Sequence, residues 1–114
     1  MRKFLATFFL STLPLCAAPI IYTVTDGRDT ASNTGGKPDG GTVGTTQNGD
    51  LRYCINQILN EQAQGPLNGT GNWEIRFEVA SVALADDLSV LNLFSADKLA
   101  INPGGSRVTI DGNN

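Results

Sequence analysis

The hydrophobic period of this chain changes several times, and each change marks a different element. A continuous apolar run from Phe4 to Leu15 (FLATFFLSTLPL) follows the basic start Met1-Arg2-Lys3. The run is shorter than the roughly 20 residues a bilayer-spanning helix needs. With the small residues Ala17 and Ala18 behind it, it predicts a secretory signal peptide over 1–17. Cleavage after Ala17 is preferred, because cleavage after Ala18 would set Pro19 against the scissile bond. Residues 20–25 (IIYTVT) are rich in β-branched side chains and end in Asp26-Gly27, which predicts a strand and its turn. From Asp26 to Gly49 the chain is dominated by Gly, Thr, Asp and Asn, with almost nothing apolar to bury, so residues 18–49 read as one strand followed by a long surface loop.

The period then becomes helical. In DLRYCINQILNEQAQ, the positions Leu51, Cys54, Ile55, Ile58 and Leu59 form one apolar stripe at i, i+3, i+4, i+7 and i+8. Asp50 is placed to cap the start of this helix, and Gly65, in a left-handed conformation, with Pro66 behind it, to end it. Residues 50–65 are therefore expected to dock one face on a neighbouring layer. Beyond them the period drops to two: Trp73, Ile75, Phe77 and Val79 alternate with Glu74, Arg76 and Glu78, the pattern of a half-buried strand. Shorter alternating pairs follow at Val82 and Leu84, Leu99 and Ile101, and Val108 and Ile110. Leu99 and Ile101 lie 22 residues after Phe77 and Val79, and Val108 and Ile110 lie 26 after Val82 and Leu84. Returns of similar length stack like strands in a solenoid, although a small antiparallel sheet accounts for the same strands.

Composition narrows the chemistry. At 114 residues the chain makes one domain, and 17% charged residues with 13 glycines is a turn-rich composition. The absence of His removes the commonest general base and zinc ligand. Cys16 and Cys54 are too few for a disulfide framework, and loss of residues 1–17 leaves Cys54 alone. A net charge of −3 gives no basic footprint for nucleic acid. No second apolar stretch is long enough for a membrane helix, so membrane contact is expected only through the signal peptide.

Candidate chemistry is sparse, and no catalytic, cofactor or metal residue is assigned. Asp86 and Asp87 are adjacent carboxylates, but neighbours on extended chain point apart, which favours turn residues over an acid/base pair. Asp26, Asp29 and Asp39 supply hard oxygens that suit calcium, yet without the spacing of a calcium-binding loop. The glycines of 41–46 lack the Lys of a phosphate loop, and Asn68-Gly69-Thr70 is a sequon with meaning only in a eukaryotic secretory pathway. Trp73 suits either a ligand platform or, by its alternation with Ile75, the core. Cys54, on the apolar stripe, reads as a small buried hydrophobe and not a reactive thiol.

The order of these segments carries a resemblance. A strand, a Gly-rich loop, Gly49-Asp50-Leu51-Arg52-Tyr53-Cys54-Ile55, then Ile75-Arg76-Phe77, Val82-Ala83-Leu84 and Val108-Thr109-Ile110-Asp111-Gly112 resembles the start of secreted right-handed parallel β-helix proteins. These include bacterial autotransporter passengers and the polymorphic outer membrane proteins of chlamydia-like bacteria. The resemblance covers residues 20–114 and departs at Asp50, where Ser is usual, at Cys54, where a small residue is usual, and in a longer 86–96 segment. It implies a mainly β fold, the start of a right-handed parallel β-helix, with 50–65 as an N-terminal capping helix and 66–114 as the first coils. The core positions would be Ile75, Phe77, Val79, Val82, Leu84, Leu99, Ile101, Val108 and Ile110.

The resemblance also implies a role and a setting. It points to a non-catalytic adhesin or display protein at the outer membrane, cell surface or outside the cell, with a host or cell-surface ligand of unspecified identity. Family members run for many more coils, so the chain reads as the first part of a longer protein whose open last coil is prone to self-association. The alternatives are part of a polysaccharide lyase or hydrolase built on the same solenoid, and a complete small secreted binding module.

Overall fold

The computed structural model describes residues 18–42, 46–65, 71–89, 91, 93, 97–105 and 107–111. The expected signal peptide and the sequon at Asn68 lie outside these residues. The described chain is strand-rich with one α-helix, as the periodicity requires. In order it forms β1 (Ile20–Asp26), a short 3-10 turn (Ser32–Thr34), β2 (Pro38–Thr42), β3 (Thr46–Asp50), α1 (Leu51–Gln64), β4 (Asn72–Phe77), β5 (Ser81–Ala83), β6 (Lys98–Asn102) and β7 (Thr109–Asp111).

Two sheets result. The larger runs β2-β3-β1-β4-β6 and the smaller pairs β5 with β7. β2 runs antiparallel to β3, and every other pair is parallel, so the antiparallel alternative for the late strands gives way. Parallel neighbours need a crossover between them, and the element order supplies one: β2 lies between β1 and β3 in the chain, β3 and α1 between β1 and β4, β5 between β4 and β6, and β6 between β5 and β7. Residues paired in register share a face. Ile20, Tyr22 and Val24 of β1 therefore sit beside Trp73, Ile75 and Phe77 of β4, all buried, and α1 packs against β1 and β3 with Leu51, Cys54, Ile55 and Ile58 turned inward. Val82 and Leu84 complete this core, and Leu59, Val79, Leu88, Leu91, Leu99 and Val108 pack against it half-buried.

Several expectations are corrected. Residues 26–49 are not one loop, because they contain β2 and β3, and β3 is the inner neighbour of β1. The spacing of the late strands is also longer than the alternation suggests. Leu99 pairs with Trp73 and Ile101 with Ile75, a return of 26 residues, while Ile110 pairs with Val82 after 28. Val79 lies beyond the end of β4. Ile101 and Ile110 are on the core-facing side of their strands yet are 59% and 50% exposed, because nothing lies beyond β6 and β7 among the described residues to cover them. Gly65 ends α1 with φ 101° and ψ 135°, a positive φ that favours glycine but not the left-handed helical cap.

Gly27 and Gly49 are among the glycines needed for close approach. A Cβ on Gly27 would collide with the Ser81 carbonyl oxygen where the Gly27 carbonyl accepts from the Ala83 N–H at 2.8 Å. A Cβ on Gly49 would stand 2.6 Å from the Lys37 carbonyl oxygen and 2.5 Å from the Tyr53 ring.

Candidate functional site

Most of the buried polar side chains among the described residues, Gln47, Asp50, Arg52 and Glu61, lie on α1 or next to it. At the N-terminus, Asp50 is buried and makes three contacts: its Oδ1 accepts from Tyr53 N at 2.8 Å, its Oδ2 accepts from Lys37 N at 2.9 Å, and its own N–H donates to the Lys37 carbonyl at 3.0 Å. A Ser at this position has one side-chain oxygen and would serve the helix cap alone. The carboxylate holds the cap and the 35–37 segment together, which gives a physical reason for Asp50. Asn56 adds a bond from Nδ2 to the Gly35 carbonyl at 2.9 Å.

Beside this cap lies a buried ion pair. Arg52 donates from Nε and Nη2 to the two oxygens of Asp29 at 2.8 and 2.7 Å, and from Nη1 and Nη2 to the carbonyls of Asp87 and Asp86 at 2.8 and 2.7 Å. Asp29 also accepts from Ala85 N at 2.8 Å. The pair is nearly closed to solvent, with side-chain exposures of 6% and 2%. The bonds from Arg52 are the chief reason that the Asp29 carboxyl titrates below its ordinary range. One guanidinium thus ties together the chain after β1, the first turn of α1 and the turn after β5.

A second polar chain crosses the interface of helix and sheet. Tyr22, wholly buried in β1, donates its hydroxyl to Glu61 of α1; Gln47 of β3 donates to the Tyr22 hydroxyl at 3.3 Å; and Tyr53 donates to Gln47 Oε1 at 3.0 Å. Burial, followed by the bond to Glu61, raises the pKa of the Tyr22 hydroxyl. Tyr22→Phe is expected to lower unfolding free energy by about 1–3 kcal/mol in urea titration, because Glu61 and Gln47 lose a buried partner. A change under about 0.5 kcal/mol would show that the chain contributes nothing net.

The remaining charges are on the surface. A cleft of about 250 Å³ is lined by Thr25, Asp26, Arg28, Lys37 and Asp39. There Arg28 grips Asp26 with two bonds of 2.9 Å, and together with the Arg28 backbone N–H it holds the Asp26 carboxyl at about 2. Thr25 Oγ1 donates to Asp39 at 2.8 Å. The three carboxylates considered for calcium are therefore dispersed onto three different donors: Asp26 on Arg28, Asp29 on Arg52 and Asp39 on Thr25. Among the described residues, no group of three or more acidic or Cys side chains is close enough to hold a metal ion.

Asp86 lies in a bend after β5, with Asp87 directly behind it. Both carbonyls go to Arg52, and the Asp86 side chain accepts from Ser32 Oγ at 2.8 Å. Trp73 is buried and its indole Nε1 has no hydrogen-bond partner among the described residues, which fits a core residue and not a ligand platform. The Cys54 thiol is buried, and burial, with Asp50 nearby, pushes its pKa up to about 12, far from thiolate chemistry.

Arg52, Glu61 and Gln47 were not singled out by sequence reasoning. Glu61 carried a readable signal, a charge at i+3 from Ile58 and i+7 from Cys54, on the stripe itself. Compared with protein-family models, curated proteins and solved structures, the chain matches none.

Proposed function

We propose that the chain is a non-catalytic, secreted or surface-displayed protein built as a right-handed parallel β-helix, with α1 capping one end of the stack and a role in adhesion or display. The observation that carries this reading is the pair of parallel returns, β4 to β6 and β5 to β7. In both, apolar residue follows apolar residue in register: Leu99 on Trp73, Ile101 on Ile75 and Ile110 on Val82. Stacking of this kind builds a core from units too short to bury their own faces. α1 packs on the β1 and β3 side of the sheet, away from β6, which suits a cap. The reading as a non-catalyst is supported by the arrangement of charge. Asp26 and Asp29 are engaged with Arg28 and Arg52, and the buried thiol of Cys54 is raised out of the reactive range.

The test is topological and chemical together. In intact producing cells, the chain is expected to be cleaved by protease added outside, and purified chain is expected to leave pectate uncut with or without calcium. Complete protection from external protease, together with retention in the cytoplasm, would overturn the display reading. Calcium-dependent cleavage of pectate would replace it with an enzyme.

A further inference from the structure

Among the described residues the larger sheet ends on β6, and the sequence of that edge is complementary to itself. Lys98 N donates to the Gly71 carbonyl at 2.8 Å, on the β4 side. Because backbone groups alternate sides along a strand, Lys98, Ala100 and Asn102 bond toward β4, while Leu99 and Ile101 present their N–H and C=O to the free edge. The side chains alternate as well: Leu99 and Ile101 share the faces of Trp73 and Ile75, and Lys98, Ala100 and Asn102 share the outer face of Asn72, Glu74 and Arg76.

We infer that the β6 edge is an interface for a second copy of this chain, paired antiparallel about Ala100. In that register Leu99 faces Ile101 of the other copy twice over, forming two hydrogen-bonded pairs through the groups already directed outward. Ala100 meets Ala100 at the two-fold axis, and Lys98 meets Asn102, so no like charges are opposed. Neighbouring registers are worse on the same criteria. Centring on Leu99 sets Ile101 against Asp97, and centring on Ile101 sets Leu99 against Pro103, which has no N–H to give. The pairing covers an apolar side chain left open on this strand, Ile101 at 59% exposed. An uncovered apolar edge of this kind is a template for strand addition, and a copy of the same edge supplies a matching pattern. The inference depends on the strand pairing alone and stands whether or not the chain is an adhesin.

Sedimentation equilibrium of the full chain over a concentration series, combined with cysteine cross-linking, tests it. The wild-type chain is expected to pass from monomer to dimer as concentration rises. Ile101→Lys places a charge opposite Leu99 and is expected to weaken dimerisation at least tenfold, while its far-ultraviolet circular dichroism matches the wild type. Ala100→Cys is expected to form an intermolecular disulfide under mild oxidation, because directly opposed residues in a non-hydrogen-bonded antiparallel pair lie within disulfide reach. Lys98→Cys, displaced from the axis, is expected to cross-link far less. A monomer at all concentrations would overturn the inference, as would undiminished dimerisation of Ile101→Lys or equal cross-linking at positions 98 and 100. Tight binding of an unrelated extended peptide by a strictly monomeric chain would overturn it in favour of a foreign strand.

Discussion

Replacing Arg52 with Met is expected to destabilise the protein by about 3–5 kcal/mol, since removal of one member of a buried ion pair leaves the other charge uncompensated. The stranded group would be Asp29, whose side chain is 2% exposed. Two carbonyls, those of Asp86 and Asp87, would lose their donor in the same step. Arg52→Lys should recover little, because an ammonium cannot reproduce a planar fork that reaches a carboxylate and two carbonyls together. Adding Asp29→Asn to Arg52→Met should restore part of the loss by removing the buried charge. Urea unfolding of the four proteins measures this, and a loss below about 1 kcal/mol for Arg52→Met would mean that water replaces the guanidinium.

The same pair gives a pH dependence of defined sign. The folded-state pKa of Asp29 lies below its ordinary value near about 3.9, so its contribution is complete above that pH and disappears as pH falls through the lowered folded value. Asp26, held at about 2 by Arg28, acts in the same direction, but its partner is 71% exposed and the contribution is correspondingly screened. Thermal stability should therefore fall below about pH 4, and Asp29→Asn should flatten that fall.

The second large effect is expected on the buried stripe of α1. Ile58 is wholly buried, so Ile58→Asp removes a filled core position worth about 2–5 kcal/mol and puts an unpaired carboxylate in its place. The sum approaches the total stability of a small domain, about 5–15 kcal/mol, and a chain without a cooperative transition is the expected result. Gln57→Asp, one residue away on the half-buried side, should cost less than about 0.7 kcal/mol through helix propensity. Equal losses in thermal unfolding would show that α1 does not dock through this face.

These two substitutions also mark how far the sequence could be read. The Ile58 stripe was legible because an amphipathic helix writes its buried face in apolar residues at period 3.6, and α1 starts and stops where Asp50 and Gly65 indicate. β1, β4 and the late strands were legible from alternation, but alternation does not state a partner, so Leu99 was set against Phe77 when it pairs with Trp73. β3 was invisible for a different reason. Its sequence, TQNGD, has no apolar residue; its buried positions are Gln47, satisfied by Tyr22 and Tyr53, Gly49, fitted under Tyr53, and Asp50, bonded to Tyr53 N and Lys37 N. A strand whose inner face is hydrogen-bonded polar atoms and bare backbone carries no hydrophobic period. The Arg52 clamp was hidden likewise, because its partners lie 23, 34 and 35 residues away and only the fold brings them together.

The position of Cys54 turns this architecture into its own reporter. The thiol lies wholly covered between α1 and the sheet, and is held protonated there by burial. In an unfolded chain the same sulfur ionises near about 8.5 and meets alkylating reagents freely. Its labelling rate is therefore a clock for departures of the helix from the strands, with no probe added and no residue changed. At reagent concentrations where closing outruns labelling, the rate reads the free energy of opening; where labelling outruns closing, it reads the opening rate itself. If labelling of Cys54 is much faster than global unfolding, α1 lifts while the sheet stays intact.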